Sequence, residues 1–181
     1  IYVSQSNLPL SVQIKPSIFE THPLLSNKKT TLIEYATFFG SIRIFQYLVS
    51  NGIVIEKSLW PFAIHSNNPE LISILEEKCE KISNDQILHE SIKCHHNEIA
   101  NYFYDNQDKN NLKVTESNFD KSILNDAFCY QNYVFFPYQM IDNFVLCYLC
   151  KYNYVNFVEL LLKEKQIDYN LNFKLASKKN K

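Results

Sequence analysis

His89, Cys94, His95 and His96 place four possible zinc ligands within eight positions. Imidazole nitrogen and thiolate sulfur both bind zinc, so the cluster defines one candidate chemistry, a metal- or thiol-dependent site. A structural zinc site usually draws its ligands from two separated pairs, whereas these four crowd one segment. Cys147 and Cys150 form a C-x-x-C. In a thioredoxin-like site that motif lies at a strand-to-helix turn, which lowers a thiolate pKa. No β-α-β pattern surrounds it here, and no second C-x-x-C completes a zinc ribbon. Both cysteines are expected to pack within a helix. Cys94 with His65 is a conceivable nucleophile and base, but nothing supplies an oxyanion hole or a third orienting group. Carboxylate pairs such as Glu76–Glu77, or Glu90 with Glu98, read as solvated charge on helix surfaces. Gly40 and Gly52 are the only glycines and stand twelve positions apart, which excludes a Walker loop or a dinucleotide-binding turn.

The elements that would position these residues repeat. In TLIEYATFFGSIRIFQYLVSNGIVIE, Thr31 can cap a short helix through its hydroxyl. Ile33, Tyr35 and Ala36 follow at helical spacing, and Gly40 breaks the chain. Ile44, Phe45, Leu48 and Val49 then form one buried helical stripe. Gly52 ends that helix in the left-handed conformation glycine tolerates best. The pattern returns 27 positions on, from Ser58 in SLWPFAIHSNNPELISILEEKC, and 28 further on, from Gln86 in QILHESIKCHHNEIANYFYDNQ. Ser58 takes the capping place, Pro61 falls in the first turn where its missing N–H is harmless, and Leu71, Ile72 and Leu75 form the stripe. In the third unit Ser91 takes the small position of Ala36 and Ala63, and Ile99, Ala100 and Phe103 form the stripe. Gly40, Asn67 and His95 occupy the break in turn. Asparagine and histidine are enriched at positive φ, so one backbone geometry is conserved across the three breaks.

The predicted architecture is an all-α solenoid of stacked helix-turn-helix units. Residues 1–29 form an N-terminal cap or irregular segment, in which SIFETHPLLSN reads as a short helical cap. Residues 30–170 form the repeat domain, with units at 31–56, 58–82, 86–107, 119–137 and 144–170. The fourth is degenerate, and Pro137 limits or kinks its second helix. The fifth carries Phe157, Val158, Leu161 and Leu162 as its stripe. The polar run after Tyr104 reads as a loop, and residues 171–181 as a fraying polar tail. One helix pair cannot bury both faces, so each unit needs its neighbour.

TLIEYATFFGSIRIFQYLVSNGIVI resembles the ankyrin repeat, T-P-L-H-x-A-A-x-x-G-H-x-x-I-V-x-x-L-L-x-x-G-A. Thr31, Ile33, Ala36, Gly40, Ile44, Leu48 and Gly52 fall on matching positions, and His96, Glu98 and Ile99 match its H-x-E-I segment. SLWPFAIHSNNPELI and ESIKCHHNEIANYF look like a divergent ankyrin family of unknown function, abundant in parasitic protists. The spacing of 27 or 28 falls short of the 33-residue ankyrin period, which implies short or absent β-hairpin fingers. The resemblance further implies that His96 bonds turn backbone. It also implies that the two residues before each inter-helix turn contact a partner: Phe38 and Phe39, His65 and Ser66, Lys93 and Cys94, Cys129 and Tyr130, and Lys151 and Tyr152. Aromatic anchors within a polar surround are what binding hot spots look like. The structural alternative is that Phe38 or Phe39 packs under the N-terminal segment.

The remaining numbers narrow the function. The chain has 181 residues, 46% hydrophobic, and 18 basic against 19 acidic side chains give a net charge of -1. That balance gives no electrostatic reason to expect nucleic acid or an acidic membrane. No run approaches the roughly 20 apolar residues of a membrane span. The five cysteines are odd in number and scattered, which reads as reduced thiols in a cytoplasmic or nuclear protein. The start at Ile1 reads as a fragment, a processed product or a truncated gene model. The expected function is a non-enzymatic module that binds a protein partner on its concave face, with no cofactor and no small-molecule substrate. The alternatives are the metal- or thiol-dependent protein built on His89, Cys94, His95 and His96, or a purely structural segment of a longer stack.

Overall fold

A computed structural model describes residues 9–26, 29–106, 121–136 and 143–164. Helix dominates these residues and strand is confined to two residue pairs, so the described chain is all-α. It divides into two compact units, residues 1–107 and 108–181.

The N-terminal unit opens with a feature the sequence did not announce. β1 (Gln13–Ile14) pairs antiparallel with β2 (Thr30–Thr31), with Gln13 opposite Thr31. Between them α1 (Pro23–Ser26) buries Leu25, so the expected cap is a single helical turn held by a two-rung ladder. Three helix pairs follow: α2 (Leu32–Phe38) with α3 (Ile42–Ser50), α4 (Trp60–Ser66) with α5 (Pro69–Lys78), and α6 (Asn84–Lys93) with α7 (Asn97–Asp105). The first helix of each pair packs on the next, α4 lying against both α2 and α6. Trp60, Phe45, Phe103, Leu48, Leu71 and Leu75 fill the core that the pairs share. The stripe of α3 is narrower than expected, because Ile44 is 49% exposed while Phe45 and Leu48 are buried.

Helix starts differ from unit to unit. Thr31 accepts from the Glu34 N–H, and the Glu34 carboxylate accepts from the Thr31 N–H, a reciprocal capping box. Ser83 and Gln86 repeat that box on α6, so the third unit begins three residues before Gln86. Ser58 caps nothing. It sits in a 3-10 turn, Lys57–Leu59, that feeds α4 directly.

The first helix of each pair, and the helix Lys121–Cys129 further on, stops at a left-handed residue. Gly40, Asn67, His95, Gln131 and Asn153 all have φ between 50° and 64°. After each left-handed residue the next N–H turns back into the finished helix. Ser41 donates to the Ala36 carbonyl at 2.8 Å, His96 to Ser91 at 2.9 Å, Asn132 to Ala127 at 2.9 Å and Tyr154 to Leu149 at 2.9 Å. This is the six-to-one bond of the Schellman motif. In the second unit the Ser66 hydroxyl replaces it, donating to the Ala63 carbonyl at 2.7 Å and accepting from the Asn68 N–H at 3.2 Å.

In the second compact unit, α8 (Lys121–Cys129) is followed by a 3-10 turn, Tyr133–Phe135, and then α9 (Asn143–Lys151) pairs with α10 (Val155–Glu164). Where a second helix is expected, the described residues hold only that turn. Phe136 leaves it extended at ψ 133°, the conformation a following proline imposes. Pro137 itself, the loop after Tyr104 from residue 107, and the tail lie outside the described residues. α9 carries both Cys147 and Cys150, but Cys150 is exposed, so only Cys147 packs.

Candidate functional site

Three chain reversals of the N-terminal unit bring Phe38, His65 and Cys94 side by side. Each residue stands within one position of the end of the first helix of its pair, and α4 packs between α2 and α6. The Phe38 and His65 rings stack with centroids 5.6 Å apart. His22, from the segment before α1, closes the end, its ring 4.8 Å from Phe38 and 4.4 Å from His65. Phe38 is therefore the phenylalanine that packs under the N-terminal segment. Phe39 turns outward and is 60% exposed.

The reversals are also tied to one another. At three of them the residue after the left-handed position reaches back to the backbone of the preceding unit. Asn68 Nδ2 donates to the Gly40 carbonyl at 3.3 Å. The His96 ring hydrogen-bonds the backbone of His65. In the second compact unit Tyr154 donates through its hydroxyl to the Phe128 carbonyl at 2.9 Å. Three different side chains make one kind of contact from one position.

Beside His65 the site is ionic. His65 Nε2 lies 2.8 Å from Glu90 Oε1, and Lys93 Nζ lies 3.3 Å from the same oxygen. The His65 hydrogen bond, opposed by burial and aided by Lys93, holds the Glu90 carboxyl below its ordinary range. Glu90 is thus no solvated surface charge. Its partner sits 25 residues away in the neighbouring pair, a distance at which sequence periodicity gives no signal. What could have flagged it is its place one helical turn before Cys94, on the same face of α6.

Cys94 Sγ is 3.3 Å from His65 Nε2 and 3.5 Å from Nδ1. A sulfur almost equidistant from both nitrogens stands over the ring; an in-plane approach would collide with Cε1. It is on neither lone pair, and Glu90 already engages Nε2. Burial pushes the Cys94 thiol up to about 12, with the Glu90 charge adding to the effect. Glu90 supplies a third group beside Cys94 and His65, but the set is not an activated nucleophile, which needs a lowered thiol pKa and an aligned base. The metal-ligand group found among the described residues is His65, Glu90 and Cys94. Of the four residues clustered in sequence only Cys94 belongs to it. His95 is the turn residue, His96 faces turn backbone, and His89 lines an open groove of about 780 Å³ with Pro61, Ile64 and Ile82.

The other candidates occupy the second compact unit. Lys151 Nζ and the Tyr152 hydroxyl both donate to Asn125 Oδ1, at 2.9 and 2.8 Å. Lys151 also lies over the Tyr152 ring, 4.6 Å from its centroid. Asn125, which sequence reasoning did not single out, is what gathers them. Tyr130 is 38% exposed, and Cys129 is exposed. Ser66, offered as a contact residue, has its hydroxyl committed to its own turn.

The titrating groups around His65 act in one direction. Burial lowers the His22 and His96 pKa values below the ordinary 6.5, and Glu90 is held low as well. Each group binds a proton more readily in the unfolded chain, so stability is lost as pH falls. The urea midpoint of the N-terminal unit is expected to drop between about pH 7 and about pH 5 as the histidines charge, and again as pH falls further through the Glu90 range. A midpoint constant over the first interval would contradict neutral, buried imidazoles.

These features define a class: an all-α protein in two compact units, whose first helices end in left-handed reversals that carry polar and aromatic residues. No family model, curated protein or solved structure matches the chain. Among the described residues no helix is long and apolar enough to cross a membrane.

Proposed function

We propose that the chain is an ankyrin-type stack with short connections in place of β-hairpin fingers, acting as a non-enzymatic module that binds a protein partner. The strip along the reversals is the recognition surface. One observation carries the reading: five left-handed reversals, of which three make a side-chain contact back to the preceding unit from the position just after the turn. Within each compact unit such reversals tie the ends of successive first helices together. Phe39 is the exposed aromatic anchor, and Lys93 and Glu90 supply the polar rim. The free state of all five cysteines agrees with a reducing compartment, cytoplasmic or nuclear.

The test is a pull-down from cell extract with wild type and Phe39→Glu as baits, circular dichroism confirming that both are helical. The expected result is a protein captured by the wild type and lost by the variant. Identical captured sets, or none, would remove the strip as the recognition surface. His65→Glu is unsuitable here, because it would set a second carboxylate against Glu90.

A further inference from the structure

We propose that His65 Nε2, a Glu90 carboxylate oxygen and Cys94 Sγ form a mixed nitrogen, oxygen and sulfur site for a zinc-class divalent ion, joining α4 to α6. The inference is independent of partner binding. The three ligand atoms lie within 4.8 Å of one another. The Nε2–Sγ separation, 3.3 Å, already suits two atoms sharing one ion, and the 2.8 Å Nε2–Oε1 hydrogen bond must open to admit it. With bonds of about 2.0–2.3 Å, ligand atoms on a tetrahedral zinc stand roughly 3.3–3.8 Å apart. Loading therefore needs shifts on the order of 1 Å, chiefly the sulfur leaving the ring face for the Nε2 side.

The placement favours a built site over a chance cluster. Glu90 lies in the last turn of α6 and Cys94, its αR C-cap, follows four positions on, so one face presents both. His65 comes from the neighbouring pair, and its side chain is only 12% exposed against 23% for Glu90. The His22 and Phe38 rings fix the imidazole from the other side. Thiolate and imidazole select zinc or cobalt over magnesium or calcium. Three protein ligands leave a fourth position to water. Glu90 accepts the His65 hydrogen bond as a carboxylate, so loading moves the His65 Nε2 proton to Nδ1 and releases the Cys94 thiol proton to solvent, about one proton per ion. Lys93 opposes the ion, since its ammonium lies 3.3 and 3.5 Å from the two Glu90 oxygens.

Cobalt(II) is the probe, added to the whole chain, with zinc as competitor. Expected are the intense visible bands of a tetrahedral site and a thiolate-to-cobalt charge-transfer band, both abolished by zinc. Cys94→Ser should remove the charge-transfer band and weaken binding by at least about tenfold, the lower end of what even outer-shell losses cost. Lys93→Met should tighten binding several-fold, a gain that a misfolded variant could not produce. His89→Ala, on the same helix but outside the set, should change nothing. Absence of the bands overturns the proposal. So do bands that survive Cys94→Ser, or an affinity that Lys93→Met leaves unmoved.

Discussion

Trp60→Ala is expected to destabilise the N-terminal unit by about 3–5 kcal/mol, the range for removing a fully buried large aromatic. Trp60 has no exposed surface and sits at the first residue of α4, inside the core shared by the helix pairs. Its ring meets Phe103 edge-on at 6.1 Å, and its Nε1 donates to the Glu80 carbonyl at 3.4 Å. One substitution therefore opens a void in the second unit and strips a partner from the third. Domains of this size are stable by about 5–15 kcal/mol, so the loss takes a large share of the total. Trp60 is the only tryptophan, and unfolding must be followed by helical circular dichroism. Trp60→Phe keeps a ring against Phe103 and should lose clearly less. A loss below about 1 kcal/mol for Trp60→Ala would contradict the shared core.

Asn68→Ala is expected to cost about 2 kcal/mol, and the loss divides into two parts. Asn68 Oδ1 accepts from the N–H groups of Glu70 and Leu71 at 3.0 and 3.4 Å, capping α5. A lost cap of this kind costs about 1 kcal/mol. Its Nδ2 meanwhile donates to Gly40 in the preceding reversal, and such a bond contributes about 1 kcal/mol net. Asn68→Asp separates the two. Aspartate caps as well as asparagine but has no donor for the Gly40 carbonyl. Denaturant unfolding should therefore rank wild type above Asn68→Asp and Asn68→Ala lowest. Asp equal to wild type would mean that the contact between reversals contributes nothing to stability.

The sequence announced some of this and concealed the rest for physical reasons. Gly40, Asn67 and His95 were legible because positive φ restricts residue choice, and Leu71, Ile72 and Leu75 because burial imposes a helical period. Gln131 and Asn153 share that backbone geometry but sit in units whose spacing no longer keeps register. Ser58 misled because a hydroxyl before a helix is ambiguous; a 3-10 turn can deliver the chain to Trp60 without a cap. The β1–β2 ladder was invisible, since two residues per strand are too few to show alternation. The strip was half legible. Its positions could be counted, but the ties among His22, Phe38, His65, Glu90 and Cys94 are contacts between units, which no periodicity within a unit encodes. Asn125 was missed for the same reason.

A partner bound as proposed is met at the reversals and not at the connections between pairs. The most direct measurement places a photo-crosslinking phenylalanine analogue at Phe39 in one protein and at Val54 in another. Val54 is 72% exposed and lies in the connection at the opposite end of the α2–α3 pair. Irradiation in cell extract should give a discrete partner adduct from Phe39 and none from Val54. An adduct from Val54 alone, or the same adducts from both, would contradict recognition along the strip.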